Sequence, residues 1–166
     1  MREHLAEQGL PDIEFTKIRQ FFDHPKFVAE MAAAVTEVWE EVPEEKKEST
    51  RMLFTAHSVP VAHDNAGGAE GDKNLYSRQV AEASRLVAAR AGISDYDLVW
   101  QSRSGNPRTP WLEPDIVDHT TDIHHNEGID TVVVCPIGFI SDHMEVIWDL
   151  DSCLLYTSPS PRDLST

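Results

Sequence analysis

Apolar residues follow two kinds of pattern along the chain: short continuous runs and longer stretches with helical spacing. The continuous runs are typical of buried strands and lie at residues 51–56, 97–101 and 131–135. The stretches with a three- and four-residue spacing predict helices at residues 24–42, 73–91 and 114–127. Each predicted helix is followed by a residue that ends helices, in chain order Pro43, Gly92 and Gly128.

Two of the predicted helices have a defined apolar face. The residues expected to be buried on the first helix are Val28, Met31, Val35, Val38 and Val42. Those expected to be buried on the second helix are Tyr76, Val80, Ala83 and Val87. Both faces are predicted to pack on a sheet.

The alternation of strands and helices predicts an α/β domain with a doubly wound parallel sheet and helices on both faces. Such sheets bind their ligands outside the carboxyl ends of the strands. Three polar loops leave the predicted strands at this edge, one of them at His57 and the others at residues 102–111 and 136–145. We expect the three loops to converge on one crevice.

The most informative stretch is residues 131–151, where a buried strand leads into a polar loop and then into an acidic helix. Pro136 ends the strand, and Gly138 gives the loop backbone freedom. Ser141 or Asp142 can cap the helix that follows, and His143 fits either a helix cap or a supporting hydrogen bond. We expect a metal or proton-transfer site at this position.

Two carboxylates and one histidine are the candidate chemical groups. Glu145 and Asp149 lie four residues apart, on one helical face. Their apolar neighbours at residues 146–148 predict a mostly buried helix, in which a carboxylate needs a cation or a proton. We therefore favour a functional role for Glu145, and for Asp149 an exposed acidic face remains equally open. His57 is interpreted as a metal ligand or base, the alternative being a structural side chain at a strand end.

The other histidines outside this stretch are interpreted as solvated. Three of them are predicted at the opposite end of the sheet, namely His119, His124 and His125, and His24 and His63 are read in the same way.

Composition excludes several classes of protein. The 166 residues carry 14 Lys and Arg against 29 Asp and Glu, and the resulting charge of -15 repels nucleic acid. The chain contains no apolar run of membrane-spanning length and does not begin with a secretory signal pattern, so we expect a cytoplasmic protein. Two cysteines, Cys135 and Cys153, form no disulfide framework and are too few to hold an iron–sulfur cluster.

Three separated motifs resemble the ferrochelatase family, in particular its actinobacterial coproporphyrin type. They are FTAHSVP at residues 54–60, QSRSG at 101–105 with PWLEP at 110–114, and PIGFISDHME at 136–145. The resemblance implies insertion of ferrous iron into a porphyrin, with coproporphyrin III expected, in haem biosynthesis. It also implies a cleft between two similar lobes, with iron as substrate and no cofactor required in this segment.

The resemblance further implies roles for individual residues. His57 and Glu145 would bind iron or receive the pyrrole protons from opposite sides of the porphyrin. Phe139, Trp111 and Ser102 would line the porphyrin pocket. Asp142 and His143 would support the reacting groups, and Asp149 would continue a ladder of acidic residues.

The resemblance covers residues 2–151 and divides the chain into three parts. Residues 1–23 are expected to be a linker or the end of an absent N-terminal lobe, and residues 24–151 part of a C-terminal lobe. Residues 152–166 are expected to be an unstructured, artefactual tail, with Cys153 where the family has an acid. The segment alone is expected to be inactive. The alternatives are a cobalt or nickel chelatase for another tetrapyrrole, and a porphyrin- or haem-binding module without turnover.

Overall fold

The fold is given by a computed structural model, which describes residues 16, 18–68, 72–106, 108–141 and 143–154. The strands are β1 (Thr50–His57), β2 (Tyr96–Gln101) and β3 (Thr131–Cys135). The α-helices are α1 (Pro25–Glu41), α2 (Val61–Asn65), α3 (Leu75–Ala91), α4 (Ile116–Glu127) and α5 (Met144–Val146). A 3₁₀ helix at Glu44–Ser49 precedes β1, and a π-helix at Ile147–Leu154 continues α5.

The three strands form a parallel sheet in the order β2-β1-β3, with β1 in the centre. Phe54 of β1 lies opposite Leu98 of β2 and Cys135 of β3. Because every strand runs in the same direction, all three carboxyl ends lie at one edge of the sheet. The predicted α/β architecture is confirmed.

Alternate residues of β1 point into two separate hydrophobic cores. Met52, Phe54 and Ala56 pack with α1 and α3 on one face of the sheet. Leu53 packs with α4 and with the end of the π-helix on the other face. Since β1 is covered on both faces, it is a continuous apolar run rather than an alternating one. The prediction of helices on both faces is also confirmed.

Helix α1 begins where the sequence predicts it. Pro25 occupies its first turn, and the His24 ring accepts a hydrogen bond from the Lys26 backbone N–H. The prediction that Val38 is buried is wrong, because 48% of it is exposed. The buried stripe instead passes through Val28, Ala32, Val35 and the partly buried Trp39. From Val35 the stripe advances four residues to Trp39, which leaves Val38 at its edge.

One further helix begins slightly later than predicted, and another has no predicted counterpart. Helix α4 begins at Ile116, after Pro114, with the Asp115 carboxylate accepting a hydrogen bond from the Val117 N–H. The one-turn helix α2 was not predicted. Gly92 and Gly128 end α3 and α4 in the left-handed conformation, as predicted.

The amino-terminal edge of the sheet carries a charged cluster. Arg51 pairs with Asp97 at 2.9 Å and with Glu127 at 2.7 Å, and His119 Nε2 lies 3.0 Å from the same Asp97 carboxylate. His124 Nδ1 lies 2.8 Å from the Ile129 carbonyl. The prediction that His119 and His124 are solvated is therefore wrong, although His125 is exposed as expected. These rings bridge strand and helix ends, which a spacing argument does not detect.

The last described helix extends beyond a boundary predicted from the sequence. The π-helix continues to Leu154, three residues beyond the boundary predicted at Asp151, and Leu154 is buried beside Leu53. Residues 1–15 and 155–166 lie outside the described residues, so the predicted linker and tail stay predictions. Within the described ranges, no helix has the length and apolarity needed to cross a membrane.

Two valines of α1 provide a matched test of this packing. Val35→Ala should lower the free energy of unfolding by about 2 kcal/mol, because it removes two buried methyl groups. Val38→Ala makes the same change at an exposed position and should alter stability by less than about 0.5 kcal/mol. Urea denaturation followed by circular dichroism measures both. Equal losses would show that the buried stripe is wrongly placed.

Candidate functional site

The loops that follow β1 and β2 are joined by backbone hydrogen bonds. The Ser58 N–H donates to the Gln101 carbonyl at 2.7 Å, and the Leu112 N–H donates to the Val59 carbonyl at 3.0 Å. These contacts hold the segment after His57 against the long loop after β2. The predicted convergence of these two loops is confirmed.

The loop after β3 joins them through a very close backbone contact. The Gly138 N–H donates to the Thr55 carbonyl at 3.2 Å. A Cβ atom added at Gly138 would lie 2.5 Å from the Ala56 Cβ and 2.9 Å from its Cα, which is too close for any side chain. Gly138 is thus needed for close approach and not for an unusual backbone angle.

His57 is the last residue of β1, and its ring is oriented by its own chain. Nδ1 lies 2.5 Å from the Ser58 carbonyl oxygen, which can only accept a hydrogen bond. In the neutral ring, Nδ1 therefore carries the proton and Nε2 presents its lone pair. Nε2 lies 3.8 Å from Oε2 of Glu145. The structure thus brings together the two residues that are predicted to have the main chemical roles.

A buried tyrosine holds the backbone of His57. The Tyr76 hydroxyl, at the start of α3, donates to the His57 carbonyl at 2.8 Å. Burial raises the pKa of Tyr76 to about 12, with a smaller contribution from the nearby Asp64 carboxylate, so the hydroxyl keeps its proton at neutral pH. The sequence identified Tyr76 only as a core residue, because its hydroxyl partner is a backbone atom distant in sequence.

Asp64 links the His57 loop to α3. Its carboxylate is buried and accepts hydrogen bonds from the Ser77 N–H, the Ser77 hydroxyl and the Asn74 side chain. Burial acts to raise the pKa of Asp64, but these hydrogen bonds lower it below the usual value. Asp64 therefore caps α3 from another segment, since the side chain of Asn74 at the N-cap makes no capping bond. No sequence signal singled out this residue.

The helix after the third loop is capped by one of the predicted alternatives but differs from prediction in its type. The Glu145 N–H donates to His143 Nδ1 at 3.3 Å, so His143 is the cap and the prediction of Ser141 is wrong. The alternative cap, Asp142, lies outside the described residues. Only Met144–Val146 is α-helical, and the π-helix then begins. Such wide turns are frequent at functional sites.

The prediction that this helix is mostly buried is wrong. Val146 is buried, but Ile147 is 43% exposed and Trp148 is 62% exposed. The Glu145 side chain is itself 58% exposed, so burial gives it no need for a cation. The apolar positions that pack inward are four residues apart, at Val146, Leu150 and Leu154. The apolar triplet could not show which of its members face the core.

The remaining predicted site residues lie around this pair. The Ser102 hydroxyl donates to the half-buried Asp149 carboxylate, and the Ser102 backbone has a positive φ of 64°. The Phe139 ring packs edge-on against the His143 ring at 5.1 Å. The backbone of Trp111 forms an isolated antiparallel β-bridge with Pro60, beside the His57 segment. Asp149 thus contacts the loop after β2, and its predicted place in an acidic ladder stays a prediction.

No group of three or more potential metal ligands occurs within the described part of the chain. His57 and Glu145 offer two potential ligand atoms, an imidazole nitrogen and a carboxylate oxygen.

The family model for ferrochelatase matches residues 1–155 of the chain. The chain belongs to the ferrochelatase family. Its three motif loops, which meet at one sheet edge, therefore lie in a ferrochelatase segment, and the resemblance stated from the motifs is confirmed.

Three relatives are named as coproporphyrin III ferrochelatases. The protein of Corynebacterium glutamicum (strain R) is 57% identical over 155 residues, which cover 93% of this chain and 41% of the relative. That of Nocardia farcinica is 58% identical over 138 residues, which cover 82% of this chain and 39% of the relative. That of Corynebacterium diphtheriae is 52% identical over 158 residues, which cover 91% of this chain and 42% of the relative. The chain thus spans about two fifths of the length of these relatives.

Gly138 provides a test of the close contact between the loops. Gly138→Ala should lower the free energy of unfolding by about 1–3 kcal/mol, because the new methyl group overlaps Ala56. Adding Ala56→Gly removes one of the two overlapping atoms and should restore part of the loss. A double-mutant cycle measured by thermal denaturation gives the coupling. Simple additivity of the two changes would contradict this contact.

The lowered pKa of Asp64 predicts how the stability of the fold depends on pH. Because its pKa is lower in the folded chain than in the unfolded one, its stabilising effect is complete above the unfolded value of about 4 and is lost as the pH falls. Asp64→Asn should cost about 1–3 kcal/mol at neutral pH and should flatten the acid dependence of stability. Denaturant titrations between neutral and acid pH measure this. The exposed Asp118→Asn is the control, and parallel curves for parent and Asp64→Asn would refute the assignment.

Proposed function

We propose that this segment provides the His57 and Glu145 side of a ferrochelatase active site, in which ferrous iron is inserted into coproporphyrin III. Membership of the family and the names of the relatives support the reaction and its substrate. The observation that carries the assignment to these residues is the orientation of Nε2 of His57 toward Oε2 of Glu145.

The separation of these two atoms is compatible with one shared cation. Imidazole and carboxylate ligands lie about 2.1 Å from a divalent transition metal. Two such ligand atoms are therefore about 3.0 Å apart at a right angle and about 4.2 Å apart when they are opposite. The observed 3.8 Å falls inside this range and is too long for a direct hydrogen bond.

Metal insertion requires groups of this kind for two reasons. The porphyrin loses two pyrrole protons, and the incoming iron loses water. A neutral imidazole with a free lone pair can accept a proton or bind the metal, and a carboxylate can do either at low cost while it is exposed. The hydrogen bond from Nδ1 to Ser58 stabilises the ring as it becomes positively charged.

The surroundings of the pair are proposed to hold the macrocycle. Phe139 and Trp111 offer aromatic surface, and Ser102 and His143 position Asp149 and Glu145 through hydrogen bonds. Asp142 is assigned a supporting role by its place in the motif alone. We also propose that residues 24–151 form part of one lobe of a cytoplasmic enzyme, and that this segment alone is inactive.

The test uses a chimera in which residues 1–155 replace the matching segment of the C. glutamicum relative. His57→Ala should lower the rate of iron insertion by about 100-fold or more, and Glu145→Gln by about tenfold or more, because each loses a proton acceptor or metal ligand. Porphyrin binding, followed by absorbance, should remain. Insertion is measured anaerobically from the change in the porphyrin spectrum.

The exposed His125 is a matched control for His57, since it lies at the end of α4 near the opposite edge of the sheet. His125→Ala should leave insertion unchanged. Full activity in His57→Ala would refute the site assignment. Insertion of cobalt or nickel without iron would instead identify a different chelatase, and binding without any insertion would identify a porphyrin-binding module.

A further inference from the structure

The loop after β2 lines a cavity in which only Trp111 has a role assigned above. The cavity has a volume of about 540 Å³ and includes Arg103, Asn106, Arg108, Trp111 and Glu113 among its lining residues. We call residues 103–113 the arginine loop. Most of its lining side chains are polar or charged, so a charged or hydrogen-bonding ligand suits it better than an apolar one.

The arginine loop reverses the charge balance of the protein. The whole chain has twice as many acidic as basic residues and a charge of -15. Between residues 102 and 112, however, two arginines occur without any acidic residue. Within the described part of the chain, the Arg108 guanidinium makes no ion pair, and Arg103 makes only a long one, at 3.7 Å to Glu113. Both guanidinium groups are therefore available to an anion.

The backbone of the loop holds these side chains in a defined turn. The Thr109 N–H donates to the Asn106 carbonyl, and the Arg108 N–H donates to the Asn106 side chain, both at 3.0 Å. The Val61 N–H donates to the Pro110 carbonyl at 2.9 Å. The turn is thus fixed to the segment that follows His57.

The cavity also shares a wall with the candidate site. Trp111, which lines the cavity, forms a bridge with Pro60 three residues after His57. Ser102, immediately before the loop, contacts Asp149. A macrocycle bound beside the His57 and Glu145 pair would therefore have the arginine loop at its side.

We propose that Arg103 and Arg108 bind propionate carboxylates of the porphyrin and so select a substrate rich in carboxylates. This inference rests on the proposed function. Coproporphyrin III has four propionate groups, and guanidinium is the side chain best suited to bind a carboxylate through two hydrogen bonds. The exposed rim of the cavity keeps the carboxylates partly hydrated, which avoids the cost of burying them.

Glu113 competes with the substrate for Arg103 in this arrangement. Both side chains are largely exposed, and their 3.7 Å separation makes the pair weak. Glu113→Gln should therefore tighten porphyrin binding, by about two- to threefold, because it frees Arg103 and removes a repulsive charge. A change in the opposite direction from Arg103→Gln distinguishes ligand binding from a purely structural role.

The experiment measures binding of coproporphyrin III and of its tetramethyl ester by the chimera, in the same detergent-containing buffer. The double variant Arg103→Gln/Arg108→Gln should weaken binding of the acid by about tenfold and leave binding of the ester unchanged. Added salt should reduce the difference between parent and variant. Arg90→Gln changes the same charge on an exposed residue at the end of α3 and should have no effect.

The outcomes separate this inference from the proposed function. Equal losses for acid and ester, or a double variant that behaves like Arg90→Gln, would overturn the role of the arginine loop while iron insertion by the chimera still supported the function. A parent chimera that bound neither porphyrin would overturn both. Circular dichroism confirms that each variant is folded before its binding is compared.

Discussion

The arrangement of the site depends on the contact between Gly138 and the end of β1. The loop after β3 can lie on the Thr55 and Ala56 backbone only because residue 138 has no side chain. This contact fixes where the loop turns, and the turn fixes where α5 begins. Glu145 is the second residue of α5, so its carboxylate reaches the His57 ring from the neighbouring strand.

The two edges of the sheet use similar residues for different purposes. At the amino edge, Asp97 is shared by Arg51 and His119 within 3.0 Å, and the Arg51 side chain is only 13% exposed. Such a buried and closely paired network ties strand to helix and leaves little room for a ligand. At the carboxyl edge, His57 and Glu145 are more exposed and further apart. Histidine and carboxylate side chains occur at both edges, so residue type alone does not distinguish them. The distance between the paired atoms and the exposure of the side chains do.

The sequence predicted the parallel sheet, the helices on both faces and the convergence of the loops. Continuous apolar runs mark buried strands, and their alternation with helices means that the strands run parallel. It also paired His57 with Glu145, through the motifs. It left the helix cap open between His143 and two other residues, and it could not predict the π-helix or the exposure of Trp148. These features depend on which side of a short helix meets the core, and a triplet of apolar residues is compatible with several answers. Tyr76 and Asp64 were missed because their partners are backbone or helix-end groups.

The separation of His57 and Glu145 also leaves both groups accessible for the proposed chemistry. In contact, the two groups would form a charge-assisted hydrogen bond, and the proton held in it would block both metal and porphyrin. At 3.8 Å, with Nδ1 of His57 occupied by Ser58, each group keeps a lone pair available. The groups that support the His57 segment, Tyr76 and Asp64, bind its backbone and the start of α3 and leave Nε2 of His57 free. A backbone held by buried groups is thus compatible with side-chain atoms that stay accessible, which the proposed handling of a cation requires.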